Sequence, residues 1–158
     1  MKTIRSPNPA PASRALALDE QLCFALYSTM LAMQKVYRGL LKGLGLTYPQ
    51  YLVMLVLWER DELTVSGIGE RLFLDSPTLT PLLKRMEVAG FISRKRSDTD
   101  ERQVIVSLTS AGKRMHDRAL AIPACVAAAM ECAPGELEVL HSRLTDVRSM
   151  LYKNALPS

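Results

Sequence analysis

The chain has 158 residues, of which 48% are hydrophobic, and it carries 20 Lys and Arg residues against 16 Asp and Glu residues. This length and composition are typical of one domain with a buried core. No run approaches the roughly 18 uncharged apolar residues that a membrane span requires, so no membrane partner is expected. The net charge of +4 and the pI near 9.1 agree with a polyanionic partner.

Residues 1–14 are predicted to form a disordered basic arm, because they combine three basic residues with three prolines. This segment lacks the apolar block of a secretory signal peptide. The three cysteines are odd in number and have no paired spacing, which argues against a structural disulfide framework. Free thiols are typical of the reducing cytoplasm, and we therefore expect a cytoplasmic protein.

The next part of the chain carries two helical patterns. Apolar residues recur every three or four positions over residues 19–44, which predicts a long helix with Asp19 as its cap. Thr47 and Gln50 then stand at capping-box spacing, before a helix that ends near Glu59. Because this second helix is apolar on nearly every side, we expect it at the centre of the fold.

Two short helices joined by a tight turn are predicted next. Thr64 caps the first of them. Ser76 and Pro77 supply a preferred N-cap and a preferred first residue for the second, which Gly90 terminates. Two short helices joined by a turn of three or four residues form a helix-turn-helix.

A β-hairpin is predicted directly after this unit. Residues 91–96 and 103–108 are rich in β-branched side chains and are joined by a polar loop. Thr109 then caps a helix that Pro123 is expected to kink, and Pro134 is expected to start the last helix. The predicted fold class is therefore mainly α with a small β-hairpin, in the arrangement of a winged helix-turn-helix.

Basic side chains concentrate around the second short helix and the hairpin, where five lie between positions 84 and 96 against one acid, Glu87. A helix of this size fits the major groove, where hydroxyls suit base edges and cations neutralise phosphates. Arg102 at the hairpin tip is the expected minor-groove probe, with Asp98 and Asp100 bracing it. The candidate DNA-binding residues are Ser76, Thr78, Thr80, Lys84, Arg85, Arg94, Arg96 and Arg102.

Three segments of the chain, at residues 74–87, 100–104 and 108–112, read LDSPTLTPLLKRME, DERQV and LTSAG. Through them the chain resembles the MarR family of bacterial repressors, with the similarity running from about residue 19 to 155. The resemblance implies a homodimer that binds a pseudo-palindromic double-stranded operator. It also implies a single domain over residues 15–158, with dimerisation helices at about 15–44 and 110–155 and a winged-helix DNA-binding part at about 47–108.

Cys23 lies in the first turns of the predicted long helix, where the helix dipole favours the thiolate, the form that attacks a peroxide. The segments around Cys23, Tyr37 and Tyr48 resemble the organic-hydroperoxide-responsive repressors within the MarR family. This resemblance implies that Cys23 senses an organic hydroperoxide and that both tyrosines hydrogen-bond its sulfur across the subunit boundary. A second cysteine would then resolve the oxidised thiol, and the sequence leaves Cys125 and Cys132 as alternatives.

Other functions fit parts of the sequence. In a repressor released by a small phenolic ligand, Cys23 would be merely buried. A thiol peroxidase would use Cys23 catalytically, but the Cys-x-x-Cys and βαβ signature of thioredoxin-like peroxidases is missing, so no enzyme is expected. A non-specific architectural protein would bind any duplex alike. No metal or cofactor is expected, because His116 and His141 lie at no ligand spacing with the cysteines.

Overall fold

The chain forms helices, then a hairpin, then further helices, in the predicted order. A computed structural model describes residues 14–155, so residues 1–13 of the predicted arm lie outside the described residues. One-turn 3-10 helices at Leu18–Glu20 and Lys42–Leu44 flank the first long helix. The helices are α1 (Leu22–Leu41), α2 (Tyr48–Glu59), α3 (Val65–Leu72), α4 (Ser76–Val88), α5 (Ser110–Ala119), α6 (Ile122–Met130) and α7 (Glu136–Asn154), and the strands are β1 (Leu63–Thr64), β2 (Ile92–Arg96) and β3 (Val104–Leu108).

Helix α2 lies at the centre of the core, as predicted from its apolar sequence. Its start is fixed by the predicted capping box, in which the side chain of Gln50 accepts the backbone N–H of Thr47 at 2.9 Å. The buried side chains of α2 are Tyr51, Val53, Met54, Val56 and Leu57.

The three strands form one antiparallel sheet with the order β1-β3-β2. The hairpin is confirmed, with Ile92 opposite Leu108 and Arg96 opposite Val104. Strand β1 was not predicted, because two residues are too short to show an alternating pattern. Thr64 ends β1 and also caps α3, since its hydroxyl accepts the N–H of Gly67 at 3.0 Å.

The starts of two helices differ from the predictions. Asp19 does not cap α1, because a 3-10 turn comes first and Gln21 holds the N-cap position. Ser76 is the first residue of α4, and the cap is Asp75, whose carboxylate accepts the N–H of Thr78 at 2.8 Å. A carboxylate reaches the free N–H groups of the first turn as well as a hydroxyl does, so sequence spacing alone does not decide whether Asp75 or Ser76 is the cap.

Two prolines act differently from the prediction. Pro123 does not kink one long helix, since α5 ends at Ala119 and Pro123 lies in the first turn of the separate helix α6. Pro134 precedes α7 but does not start it. Gly135 stands between them with a φ of 84°, a conformation that glycine adopts without strain.

The outer helices leave most of their apolar side chains uncovered. Helix α1 buries only Leu41, and α7 buries none of its residues within the described chain. Within residues 14–155 no single helix is long and apolar enough to cross a bilayer. Leu22–Leu44 and Tyr48–Glu59 reach the required length and apolar character only when they are taken together, and the two segments are bent by 67° relative to each other. The exposed large apolar side chains of α1 and α7 are Leu22, Leu26, Tyr27, Leu31, Val36, Val139, Leu140, Leu144, Val147, Met150, Leu151 and Tyr152.

Candidate nucleic-acid interface and thiol site

Helix α4 buries one face and leaves the other open. Its buried residues are Leu79, Leu82, Leu83 and Met86. Hydrogen bonds from the side chain and the backbone of Thr78 lower the pKa of the capping Asp75, so this carboxylate is ionised at neutral pH. Of the candidate DNA-contacting residues on α4, Thr80 is half-buried, and Ser76, Thr78, Lys84 and Arg85 are exposed.

The loop of the hairpin presents Arg102 to solvent. Asp100 braces this arginine as predicted, accepting its Nε at 3.2 Å and its backbone N–H at 3.1 Å. The side chain of Arg102 is 92% exposed, which leaves its guanidinium free to reach a second molecule. The prediction for Asp98 is wrong, because this carboxylate bonds the Nζ of Lys95 at 3.0 Å instead of Arg102.

Arg94 is part-buried, with its side chain 20% exposed, and it is bonded to Glu87. Its Nε and Nη2 donate to one carboxylate oxygen of Glu87 at 3.0 and 2.8 Å, and its backbone N–H donates to the other at 3.1 Å. Arg94 thereby lowers the pKa of Glu87. Its guanidinium joins β2 to α4, and the expected contact of Arg94 with DNA stays a prediction. Arg96, two residues further along β2, is exposed.

Cys23 is the second residue of α1, and its thiol is exposed. The exposed side chains of Leu22 and Leu26 flank it. Within the described chain, Cys23 makes no hydrogen bond to Tyr37 or Tyr48. The described residues of a single subunit therefore do not assemble the expected thiol site.

Tyr37 and Tyr48 lie against each other, with ring centroids 4.5 Å apart, and Tyr51 extends the cluster at 5.8 Å from Tyr37. Burial, followed by the charges of Tyr48 and Tyr51, raises the pKa of Tyr37 to about 12. Burial also raises the pKa of Tyr48. A tyrosine with an ordinary pKa is already protonated at neutral pH, and both phenols can donate to an anion. Sequence analysis missed Tyr51 as a member of this cluster, although it lies three residues after Tyr48.

The two further cysteines lie at and after helix α6. Cys125 is exposed on α6, and Cys132 is half-buried in the connection to α7. The thiol of Cys132 donates to the carbonyl of Met130 at 3.6 Å. Glu131, which lies between Met130 and Cys132, has a φ of 52°, an uncommon conformation for a residue with a side chain. Both cysteines are free thiols.

A large apolar cavity lies between α1, α2 and α7. Its volume is about 750 Å³, and Leu26, Tyr48, His141, Leu144 and Tyr152 are among the residues that line it. Outside this cavity, Trp58 on α2 donates its Nε1 to the carbonyl of Gly112 at 3.0 Å. Among the described residues, no three His, Cys, Asp or Glu side chains come together in a way that could hold a metal ion.

Comparisons with known proteins agree with this architecture. The family described as transcriptional regulator SarA/Rot matches residues 35–119. The organic hydroperoxide resistance transcriptional regulator of Bacillus subtilis is 46% identical over 138 residues, covering 87% of this chain and 94% of that protein. The crystal structure of AbfR of Staphylococcus epidermidis is 35% identical with a TM-score of 0.73, covering 92% of this chain and 100% of the other.

AbfR is also known in several chemical states. The reduced protein bound to DNA matches with a TM-score of 0.73, and the overoxidized protein bound to DNA with 0.72, each covering 89% of this chain. The disulfide-formed protein covers 86% of this chain at 38% identity, with a TM-score of 0.58. With the family match and the 46% identity over most of both chains, the winged helix-turn-helix places this chain in the MarR/SarA family of transcriptional regulators.

Proposed function

We propose that this regulator is a cytoplasmic homodimeric repressor that binds operator DNA and releases it when an organic hydroperoxide oxidises Cys23. The observation that carries the proposal is an exposed thiol at the start of α1 in a chain that also holds two protonated phenols. The identity to an organic hydroperoxide resistance regulator supports the choice of signal.

The DNA-binding half of the proposal depends on the exposed face of α4 and on the wing. Lys84 and Arg85 are open to solvent on α4 and can neutralise phosphates while hydroxyls near its start contact base edges. Arg102, held by Asp100, suits the narrow minor groove. Arg94 keeps these two contact regions in a constant arrangement through Glu87, so we assign it a positioning role.

The dimer is proposed from the uncovered apolar faces of α1 and α7. A large exposed apolar patch is typical of an interface, and these two helices carry most of the exposed large apolar side chains. A second copy of the chain placed on this surface would also bring Tyr37 and Tyr48 of one subunit towards Cys23 of the other. The two α4 helices would then meet successive major grooves of a pseudo-palindromic site.

The sensing step is a nucleophilic displacement on the peroxide bond. The Cys23 thiolate attacks the terminal oxygen of the hydroperoxide, the O–O bond breaks, and the alkoxide takes a proton to leave as an alcohol. The product is a sulfenic acid at Cys23. The thiolate of Cys125 or Cys132 of the other subunit then attacks this sulfur, forming a disulfide and releasing the oxygen as water. A cellular thiol would reduce the disulfide and reset the protein.

The disulfide is the state that we expect to leave DNA. The described conformation resembles the two DNA-bound forms of AbfR, at TM-scores of 0.72 and 0.73, more than the disulfide form, at 0.58. A cross-link between subunits constrains the outer helices and so changes the separation of the two α4 helices. A mismatch with the groove spacing would weaken binding.

A second candidate function is a repressor released by a small apolar or phenolic ligand. The cavity of about 750 Å³ between α1, α2 and α7 favours it, because its size and apolar lining are typical of ligand sites. Cys23 distinguishes the two functions, since ligand release would not need its sulfur.

The test is a gel shift on the DNA upstream of the chain's own coding sequence, with and without cumene hydroperoxide. We expect the wild type to leave the DNA after oxidation and Cys23→Ser to stay bound. Release of Cys23→Ser by the peroxide would contradict the proposal, as would a wild type that stays bound. Consumption of one peroxide per site supports a sensor, whereas sustained turnover with a reductant would indicate a thiol peroxidase.

A further inference from the structure

The C-terminal helix α7 touches the turn of the helix-turn-helix through three side chains. The ring of Tyr152 stacks on the ring of Phe73, with centroids 5.0 Å apart and planes 20° from parallel. The guanidinium carbon of Arg148, one turn earlier on α7, lies 4.7 Å from the centre of the same ring. Stacking and cation–π contacts both favour this arrangement, which we call the Phe73 cluster.

Phe73 stands where α3 ends and α4 is about to begin. Its φ of 56° is in the left-handed region, which is uncommon for a residue with a side chain. The turn around it is tight, since Leu74 donates its N–H to the carbonyl of Gly69 at 3.0 Å. A Cβ at Gly69 would lie 2.6 Å from the carbonyl oxygen of Leu74, so the two segments are in close contact.

This turn leads directly into the start of α4. Asp75, two residues after Phe73, caps α4 through the N–H of Thr78 at 2.8 Å. Tyr152 lines one cavity together with Phe73, Asp75 and Ser76. The hydrogen bonds of Leu74 and Asp75 therefore tie the residues that follow Phe73 closely to the beginning of α4.

The same part of α7 also borders the candidate thiol site. Arg148 and Tyr152 line the apolar cavity of about 750 Å³, which Tyr48 and Leu26 also line. One turn of α7 is therefore adjacent to a proposed phenol donor on one side and to the turn before α4 on the other. Cys132, a candidate resolving thiol, precedes the start of the same helix.

We propose that the Phe73 cluster is the contact through which α7 sets the position of α4, and through which a disulfide that moves α7 displaces α4 from DNA. The proposal rests on the proposed function for its DNA and its oxidant. It assigns Phe73, Arg148 and Tyr152 as positioning residues that act through α4 without touching DNA.

Tyr152→Ala tests the cluster, with Tyr152→Phe as the matched control that keeps the ring. The probes are the upstream operator and a copy with its half-sites moved apart by one base pair. We expect wild type and Tyr152→Phe, both reduced, to prefer the original spacing. The ratio of the affinities for the original and the altered spacing should be at least about threefold smaller in Tyr152→Ala, because the loss of one aromatic pair has an effect of that size. An unchanged spacing preference in Tyr152→Ala would overturn the proposal.

A second variant separates the cluster from folding and dimerisation. Phe73→Asn removes the ring but keeps a residue that tolerates the left-handed conformation. We expect it to lose the spacing preference while thermal unfolding and sedimentation match the wild type. Retention of the full spacing preference by the folded, dimeric Phe73→Asn would refute the assignment, even if Tyr152→Ala failed to fold.

Treatment of the variants with the oxidant distinguishes this proposal from the proposed function. After cumene hydroperoxide, we expect Tyr152→Ala to form the disulfide, as mass spectrometry would show, yet to change its DNA affinity less than the wild type. Equal release by both proteins would refute the coupling role while leaving the sensing function intact. A wild type that holds DNA after oxidation would refute the sensing function, and the spacing measurement on reduced protein would still decide the role of the cluster.

Discussion

Glu87 on α4 accepts three hydrogen bonds from Arg94 on β2, two from the guanidinium and one from the backbone. The helix and the wing are thereby held in one arrangement. We expect Arg94→Met to bind the operator about tenfold more weakly, because the wing loses its fixed position. The slope of affinity against salt concentration should be unchanged, because a residue that only positions the wing neutralises no phosphate. A reduced slope would show that Arg94 contacts DNA after all.

Lys84 is predicted to contact phosphate directly, unlike Arg94, because its side chain is exposed on α4. Lys84→Met should weaken binding to every duplex to a similar extent, and the slope of log affinity against log salt should fall by about 0.9. Fluorescence anisotropy on operator and random duplexes at several salt concentrations measures both quantities. Lys113→Met, a change to an exposed lysine on α5, is the control and should leave the slope as it is.

Gly112 is predicted to tolerate no side chain. A Cβ there would lie 2.2 Å from the carbonyl oxygen of Phe91 and 3.2 Å from the side chain of Leu108. Gly112→Ala should lower the free energy of unfolding by about 3 kcal/mol, measured in urea at one protein concentration. Gly39→Ala is the matched control, since nothing lies within 4 Å of its Cβ. It should raise helix stability by up to about 1 kcal/mol, and a similar loss in both variants would contradict the packing argument.

Tyr37 makes the fold sensitive to alkaline pH. Its pKa is about 12 in the folded chain against 10.0 for an ordinary tyrosine, so the folded state holds this proton more tightly. The resulting stabilisation is fully present below pH 10 and is lost as the pH rises towards 12. Between pH 9 and 12, the urea midpoint of Tyr37→Phe should therefore fall less than that of the wild type. An equal fall would argue against a buried phenol, and Tyr27→Phe, at an exposed position, serves as control.

Only one of the two further cysteines is expected to resolve oxidised Cys23. Cys125→Ser and Cys132→Ser, treated with one equivalent of cumene hydroperoxide, should differ in non-reducing electrophoresis. The variant that lacks the resolving thiol should stop at the sulfenic acid, which a dimedone label detects by mass spectrometry. Disulfide formation in both single variants would contradict a single resolving residue, and its absence from the wild type would contradict the two-cysteine scheme.

The local elements were predictable from short-range patterns. Thr64 and Thr109 both cap helices as expected, since a hydroxyl before a helical stripe satisfies a free N–H within three residues. The brace from Asp100 to Arg102 was predictable for the same reason, because the two residues are neighbours in one loop. The domain boundaries, the DNA contacts and the thiol chemistry stay predictions.

The sequence by itself determined the type and order of the main helices and the presence of the hairpin, because these depend on periodicity and on caps within a few residues. Only the tertiary structure decided that Glu87 takes Arg94 away from solvent and that Tyr37 packs on Tyr48. It also brought Tyr152 onto Phe73, across 79 positions of the sequence. Such contacts depend on how separate helices and strands pack against each other, which no local spacing encodes.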